Sequence, residues 1–323
     1  MTQLPSQLAR IEQKSRFSIT RVDGGMLAVA LIWGVNFAVV KQTLSEMSPM
    51  VFISLRFLLA ALVLVMVLKI SGENLRFERR DFLAVILVSL IGHVVYLALF
   101  IQGISRTTAS NSALLLATTP IFVVVISVLF RMEYVTFVAG LGIVLSFIGI
   151  VFVVGLGSGG ISIGAQTLPG NLLTLGAAIC WALNTIMSKP LLRRYSPLKL
   201  TTATMMISTP LLLLLSAGEL SQQIWGDSSP RGWLGLGYSF VFANAVAYIL
   251  WNVSVQKTGN ARTAVFSNLV PVVAVITSWL VLGETLGMWQ GIGAVVTLVG
   301  VTLTRIRPGR ATAWLPVVTN ISR

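Results

Sequence analysis

The sequence predicts an all-α membrane protein in which ten transmembrane helices form two five-helix repeats of opposite orientation. Three observations predict it. The first is composition: 55% of the 323 residues are hydrophobic and only 10% are charged, against about 25% charged in a soluble domain, and the mean hydropathy is +0.88. No ionised side chain occurs between Glu133 and Lys189, a stretch too long and apolar for the core of a soluble protein this size. The second is a series of ten apolar runs, each able to cross about 30 Å of hydrocarbon at about 1.5 Å per residue. The third is an internal repeat that pairs the first five runs with the last five.

The runs lie near 24–42, 49–68, 82–103, 109–130, 134–154, 169–188, 197–217, 232–254, 262–282 and 286–304. Spans 4 and 5 are joined only by Arg131, Met132 and Glu133, and spans 9 and 10 by the turn around Gly283 to Thr285, so each pair should be antiparallel neighbours. Long runs with few charges argue against a β-barrel, whose strands need only about 9–11 alternating residues. The chain divides into a tail 1–23, a first repeat 24–154, a linker 155–168, a second repeat 169–304 and a tail 305–323. The first tail carries Arg10, Lys14, Arg16 and Arg21 but no compact apolar segment or small-residue cleavage site. It reads as uncleaved, with span 1 as the insertion signal.

The 23 Lys+Arg against 10 Asp+Glu give a formal charge of +13. A nucleic-acid binder would gather such charge on one face or tail; here it falls in short clusters between apolar runs, which excludes that class. With the N-terminus in the cytoplasm, 19 of the 23 basic residues lie on the inner side. Lys41, Arg106 and Arg231 fall outside, and Arg56 lies within span 2. This bias sets both termini in the cytoplasm, and the expected location is a bacterial inner membrane. Cys180 is the single cysteine, so no disulfide framework exists. No ligand cluster suggests a metal, no phosphate loop suggests ATP-driven work, and no cofactor is expected. The Gly/Ser-rich 155–164 reads as a flexible external linker.

The two halves match at fixed offsets. Trp33, Asn36, Lys41 and Ser48-Pro49 recur as Trp181, Asn184, Lys189 and Ser196-Pro197, all 148 residues later. Pro120, Glu133, Gly140, Gly142 and Gly149 recur 151 residues later as Pro271, Glu284, Gly291, Gly293 and Gly300. Five spans is an odd number, so the second copy enters from the opposite face. Inverted repeats of this kind build carriers that open alternately to either side of a midplane site. They favour transport over the alternatives of a membrane enzyme, receptor or scaffold.

The chain resembles the ten-span transporters of the drug/metabolite transporter superfamily in their two-EamA-domain form. The residues that carry the resemblance are Trp33-Gly34-Val35-Asn36-Phe37, Arg56-Phe57-Leu58-Leu59-Ala60-Ala61, Thr108-Ala109-Ser110-Asn111-Ser112-Ala113, Pro120, Glu133 and the span 5 glycines. Trp181, Pro197, Pro271, Gly283-Glu284 and the span 10 glycines repeat the pattern. Within the superfamily it is most similar to the YddG-type exporters of bacteria, associated with aromatic and other amino acids. The resemblance implies a basket of ten helices around a cavity lined mainly by spans 1, 3, 4, 6, 8 and 9, with spans 5 and 10 peripheral. It also implies outward movement of small amphiphilic metabolites. One departure is that Thr204 stands where the first repeat has Arg56, and His93 has no second copy.

Helical spacing selects the candidate path residues. Trp33 and Asn36, and Trp181 and Asn184, are i,i+3 pairs; His93, Tyr96 and Phe100 form one stripe in span 3, and Asn244, Tyr248 and Trp251 another in span 8. Asn111 opens span 4 and Asn268 precedes Pro271 in span 9. Asparagines in hydrocarbon need partners and should face the bundle interior or a wet cavity, though an Asn can also join two helices and Trp and Tyr also form interfacial belts. Aromatic faces with amide groups suit amino acids or related solutes with an apolar body and a polar head. The lone His93 reads as a substrate contact, a proton carrier or a satisfied structural histidine; no carboxylate relay in the spans supports proton coupling. Arg56, about 10 Å into the membrane, could orient span 2 or meet a substrate carboxylate. Lys41 and Lys189 bracket the path or anchor the interfaces. Pro120 and Pro271 fall mid-span, where a proline tends to kink its helix. The glycines of spans 5 and 10 read as close helix packing. The expected partners are a small-molecule substrate and the lipid bilayer; the short loops offer no large protein-binding surface, so a monomer is expected.

Overall fold

A computed structural model describes residues 20–104, 106, 107, 112, 115–132, 135–155, 166–282 and 287–304. Among these, the regular structure is helical, with no strands. The principal helices are α1 (Arg21–Thr43), α2 (Pro49–Ile70), α3 (Arg79–Gly103), α4 (Thr119–Leu129), α5 (Phe137–Val153), α6 (Leu168–Leu192), α7 (Pro197–Leu215), α8 (Pro230–Thr258), α9 (Leu269–Leu282) and α10 (Met288–Leu303), with short helices at Ala217–Gln222 and Asn260–Val265. Six of them, α1, α2, α3, α6, α7 and α8, contain stretches long and apolar enough to cross a membrane, and α4, α5 and α10 are shorter apolar helices. Leu62, Leu83, Leu172, Leu280 and Val295 are exposed on the outer faces, where a bilayer rather than water would meet them.

Polar residues start the helices at the membrane edges. Thr20 and Asp23 form a capping box at α1, the Asp23 carboxylate accepting from Thr20 N at 2.7 Å. Ser196 precedes Pro197 and accepts from Lys199 N at 3.1 Å at α7; Ser229 precedes Pro230 at α8. Each cap satisfies donors that the first helical turn leaves open, and proline in that turn sacrifices none.

The repeats pack reciprocally. In chain order α1 corresponds to α6, α2 to α7, α3 to α8, α4 to α9 and α5 to α10. α1 packs on α9 and α8, and α6 packs on α4 and α3; α2 packs on α7 and α5 on α10. Each of these contacts has its counterpart with the roles exchanged, as a two-fold relation requires. The glycines show it at atomic scale. A Cβ on Gly142 would sit 2.6 Å from the Gly300 carbonyl oxygen, and one on Gly293 2.5 Å from that of Gly149. Gly293 is the repeat partner of Gly142, and Gly300 that of Gly149. Gly140 and Gly291, the other pair, face open space.

Two irregularities also recur in both repeats. A π-helical stretch, Leu90–Val95, interrupts α3, and another, Ser239–Val246, interrupts α8. Side chains from neighbouring helices bind carbonyls at these interruptions: Ser208 Oγ donates to Ser89 O at 3.1 Å and Trp33 Nε1 to Ala243 O at 2.9 Å. The second irregularity concerns the prolines. Neither lies inside an unbroken helix. α4 begins at Thr119 after a turn and α9 begins at Leu269 after the tight Phe266–Asn268 turn, so Pro120 and Pro271 each sit in a first turn. There the missing N–H breaks no helical hydrogen bond. Carbonyls of the preceding turns are taken by hydroxyls: Thr119 Oγ1 donates to Leu116 O at 2.7 Å and Ser267 Oγ to Ala264 O at 2.6 Å.

Candidate functional site

α1, α3, α6 and α8 bring seven of the selected residues to one place. Trp33 and Trp181 meet edge to face at 5.7 Å between ring centroids. Trp251 lies 5.4 Å from Trp33 and 5.5 Å from Trp181, and Tyr248 touches both, at 6.0 and 5.5 Å. Tyr96 stands 5.2 Å from Trp181 and Phe100 stacks on Tyr96 at 6.1 Å. His93 joins through Tyr248 at 5.4 Å, and on its other side meets Phe57 of α2, also at 5.4 Å. Trp33 and Trp181 are equivalent residues of the two repeats, so their contact sets the cluster astride the two-fold relation.

Beside the rings lies a chamber lined by His93, Asn184, Ser188, Thr204, Tyr248 and Asn252, among others, with a volume of about 10 Å³. That is room for about one water; a metabolite enters only if the rings part. Asn184 presses on Gly92 so closely that any Cβ there would collide with it. Its counterpart Asn36 faces the other π-helical stretch and accepts from Ser239 Oγ at 2.9 Å. Asn252 Nδ2 donates to Thr201 Oγ1 at 2.8 Å, tying α8 to α7.

The other selected residues are placed differently. Arg56 of α2 lies with its guanidinium 5.2 Å from the Phe52 ring centroid and within electrostatic reach of Tyr96 and Tyr248. Asn244, one turn before Tyr248, is buried. Asn268 is fully buried away from the rings, its amide donating to Ser146 Oγ of α5 at 2.8 Å. Lys189 is half-buried near the end of α6. Asn111 and the Lys41 side chain lie outside the described residues.

Phe57, Ser188, Thr204 and Asn252 were not among the selected residues. Ser188 and Asn252 lie four residues beyond Asn184 and Tyr248, so extending the same helical stripes finds them. Thr204 follows from the offset that pairs it with Arg56.

Two polar latches close the ends of the bundle. At one end, Glu46 in the α1–α2 loop accepts from Ser229 N at 2.7 Å and Ser229 Oγ at 2.8 Å, and Ser48 N donates to Gln223 Oε1 at 3.0 Å. At the other, Arg194 in the α6–α7 loop pairs with Glu78 and Asp81, Ser196 donates to Glu73, and Tyr195 OH donates to Asp81 Oδ2 at 2.7 Å. The positions correspond. Arg194 is 148 residues after Glu46, as Ser196 is after Ser48, and Ser229 is 151 after Glu78. The latches are the same construction in different chemistry. The Arg194 hydrogen bond and charge hold the Glu78 carboxyl below its ordinary range, and Glu78 in turn raises Arg194. Partial burial and the bond to Asp81 push Tyr195 upward. Near the Glu46 end, a cleft of about 350 Å³ opens between α1 and α8, lined by Val39, Gln42, Thr43, Arg231, Leu234 and Tyr238.

Among the described residues no group of three or more His, Cys, Asp or Glu side chains could hold a metal ion. The arrangement offers aromatic surface, amides and one guanidinium, which suits binding rather than bond-making.

The model of the EamA-like transporter family matches residues 21–155 and again 168–306. The chain is 29% identical to the uncharacterized transporter YyaM of Bacillus subtilis, over 85% of this chain and 90% of that one. It is 27% identical to the uncharacterized transporter YetK of the same organism, over 89% and 88%. An uncharacterized transporter of Archaeoglobus fulgidus is 25% identical over 83% and 93%. A solved crystal structure, described only as that of a protein, superposes with a TM-score of 0.76 over 88% of this chain and 96% of that one, at 16% identity; this likeness concerns the fold.

Proposed function

Because the chain belongs to the EamA-like transporter family, it is a membrane transporter and not an enzyme, and we propose that it moves small amphiphilic metabolites, chiefly amino acids including aromatic ones, out of the cytoplasm by alternating access. The observation that carries the proposal is the aromatic cluster on the two-fold relation between latches of corresponding construction. Two repeats of opposite orientation can exchange conformations, so that whatever one latch does at one face the other does at the opposite face. The chamber, too small for a metabolite, then belongs to a closed state between the two open ones.

The bias of the basic clusters supports an orientation with the Arg194 latch on the cytoplasmic side and the Glu46 latch outside. The rings receive the apolar body of the solute, and the amides and Arg56 its polar head. The lack of a rigid charged clamp on both sides of the solute favours breadth over narrow selection. Among the described residues no acidic relay crosses the helices, which supports facilitated passage over proton exchange.

Uptake and efflux in proteoliposomes with a panel of amino acids, with and without a pH gradient, test this. Flux of aromatic amino acids that saturates and is indifferent to the gradient is expected. Flux driven by the gradient and lost in His93→Ala would replace facilitated passage with proton coupling. Absence of flux for the whole panel would remove the amino-acid reading.

A further inference from the structure

The buried groups around Tyr248 are short of acceptors. Arg56 Nε, Asn244 Nδ2, Trp251 Nε1 and His93 Nδ1 are all buried without a hydrogen-bond partner among the described residues. Guanidinium, amide and indole N–H groups only donate, and a buried donor left unpaired is unfavourable, most of all a charged one. Among the described residues the surroundings hold no protein anion to pair with them. In the described length of the ten helices, the acidic residues are Asp23 and Asp81, both in first turns at a membrane edge. Arg56 therefore stands in the interior as a cation without a carboxylate in the described helices, against the Phe52 ring and within electrostatic reach of Tyr96 and Tyr248, the latter a tyrosine whose ring also meets His93.

The asymmetry is informative. The two-fold relation puts Thr204 in the place of Arg56 and Asn244 in that of His93. The frame is repeated, but the charge is on one side only, so a bound solute would have a defined head and tail. One guanidinium balances one negative charge, which favours a carboxylate over a phosphate of nearly two charges.

Resting on the transport reading above, we infer that the central site recognises its solute by a carboxylate, held by Arg56 with the Asn244 and Trp251 donors, and that an ammonium group on the solute is not required. The solute class is then the apolar-bodied monocarboxylates, of which aromatic amino acids are one part. Trp33, Trp181 and Tyr96 cover the body. An ammonium group finds no opposite charge among the described residues of the site and contributes little.

Binding of four probes to the purified full chain, read by tryptophan fluorescence and calorimetry, tests the inference: 3-phenylpropionate, L-phenylalanine, L-phenylalanine amide and phenethylamine. The two acids should bind within about threefold of one another, and the amide and amine at least about tenfold more weakly, as the loss of a charge-assisted pair implies. Arg56→Gln should abolish the preference for acids and Arg56→Lys should keep part of it. The comparison of probes on the unmodified chain stands even if a variant does not fold. Amine or amide binding as tight as the acids, or an Arg56→Gln protein that folds and keeps the preference, would overturn the inference and leave the aromatic-solute reading intact. Binding of none of the four would overturn both.

Discussion

Trp33 of α1 and Trp181 of α6, equivalent residues of the two repeats, touch edge to face with ring centroids 5.7 Å apart. A residue that meets its own counterpart marks the axis that relates the halves, so the candidate site lies where neither repeat owns it. Trp33 is also bonded to the Ala243 carbonyl within the π-helical stretch of α8. Movement of α1 is thereby coupled to the helix that carries Tyr248 and Trp251.

Trp33→Phe keeps a ring in the cluster but removes that hydrogen bond and part of the ring volume, so it should lower stability by about 1–2 kcal/mol. Trp181→Ala empties a buried ring site and should cost about 3–5 kcal/mol. Denaturant titration of both variants in detergent checks the order, and solute binding should weaken far more in Trp181→Ala.

The α5–α10 seam makes opposite predictions for neighbouring glycines. Gly149→Ala puts a methyl against Thr297 and the Gly293 carbonyl, and Gly300→Ala one against Ser146. Each should separate the helices and destabilise by about 1–3 kcal/mol. Gly140→Ala and Gly291→Ala meet nothing and should stabilise by about 0.5–1 kcal/mol through helix propensity. Thermal unfolding of the four single variants decides it.

The Arg194 latch should be indifferent to moderate pH. A carboxyl whose folded-state value is depressed contributes above the ordinary carboxylate range and loses that contribution only as pH falls through the depressed value. Glu78 is such a group, so its share of the latch is constant between about pH 5 and 8 and fades in stronger acid. Arg194→Gln should instead weaken the latch throughout. Labelling of a cysteine placed at Ser188, in a protein whose Cys180 has been replaced, should rise in Arg194→Gln and stay level across that pH range in the parent.

The sequence foretold most of what depends on helical period and on the repeat. Trp33, Trp181, Tyr96 and Tyr248 converge because i,i+3 and i,i+4 spacing puts them on single faces, and the glycine pairs meet because close packing permits nothing larger. The latches were harder to see. Glu46 and Arg194 share a position but neither residue type nor charge, as do Ser229 and Glu78, so a search for matching residues passes over them. The π-helical stretches in α3 and α8 have no compositional mark, since they answer to packing across helices. Pro120 and Pro271 look like mid-span kinks in one dimension; the preceding turns, which make them helix starts, depend on hydroxyl bonds from Thr118, Thr119 and Ser267. Asn268 illustrates the alternative open to any membrane asparagine, a bond to a neighbouring helix.

The central claim is that the two faces alternate around the tryptophan pair. Spin labels at the exposed Ser45 and Gly226 report one end, and labels at Arg79 and Arg193 the other, leaving the latch contacts in place. Pulsed-resonance distances in proteoliposomes, recorded with and without solute, measure both. The account predicts that a condition lengthening one pair leaves the other short, with the two distributions shifting in opposite directions. Simultaneous lengthening at both ends, as in an open channel, or no change at either during measured flux, would contradict it.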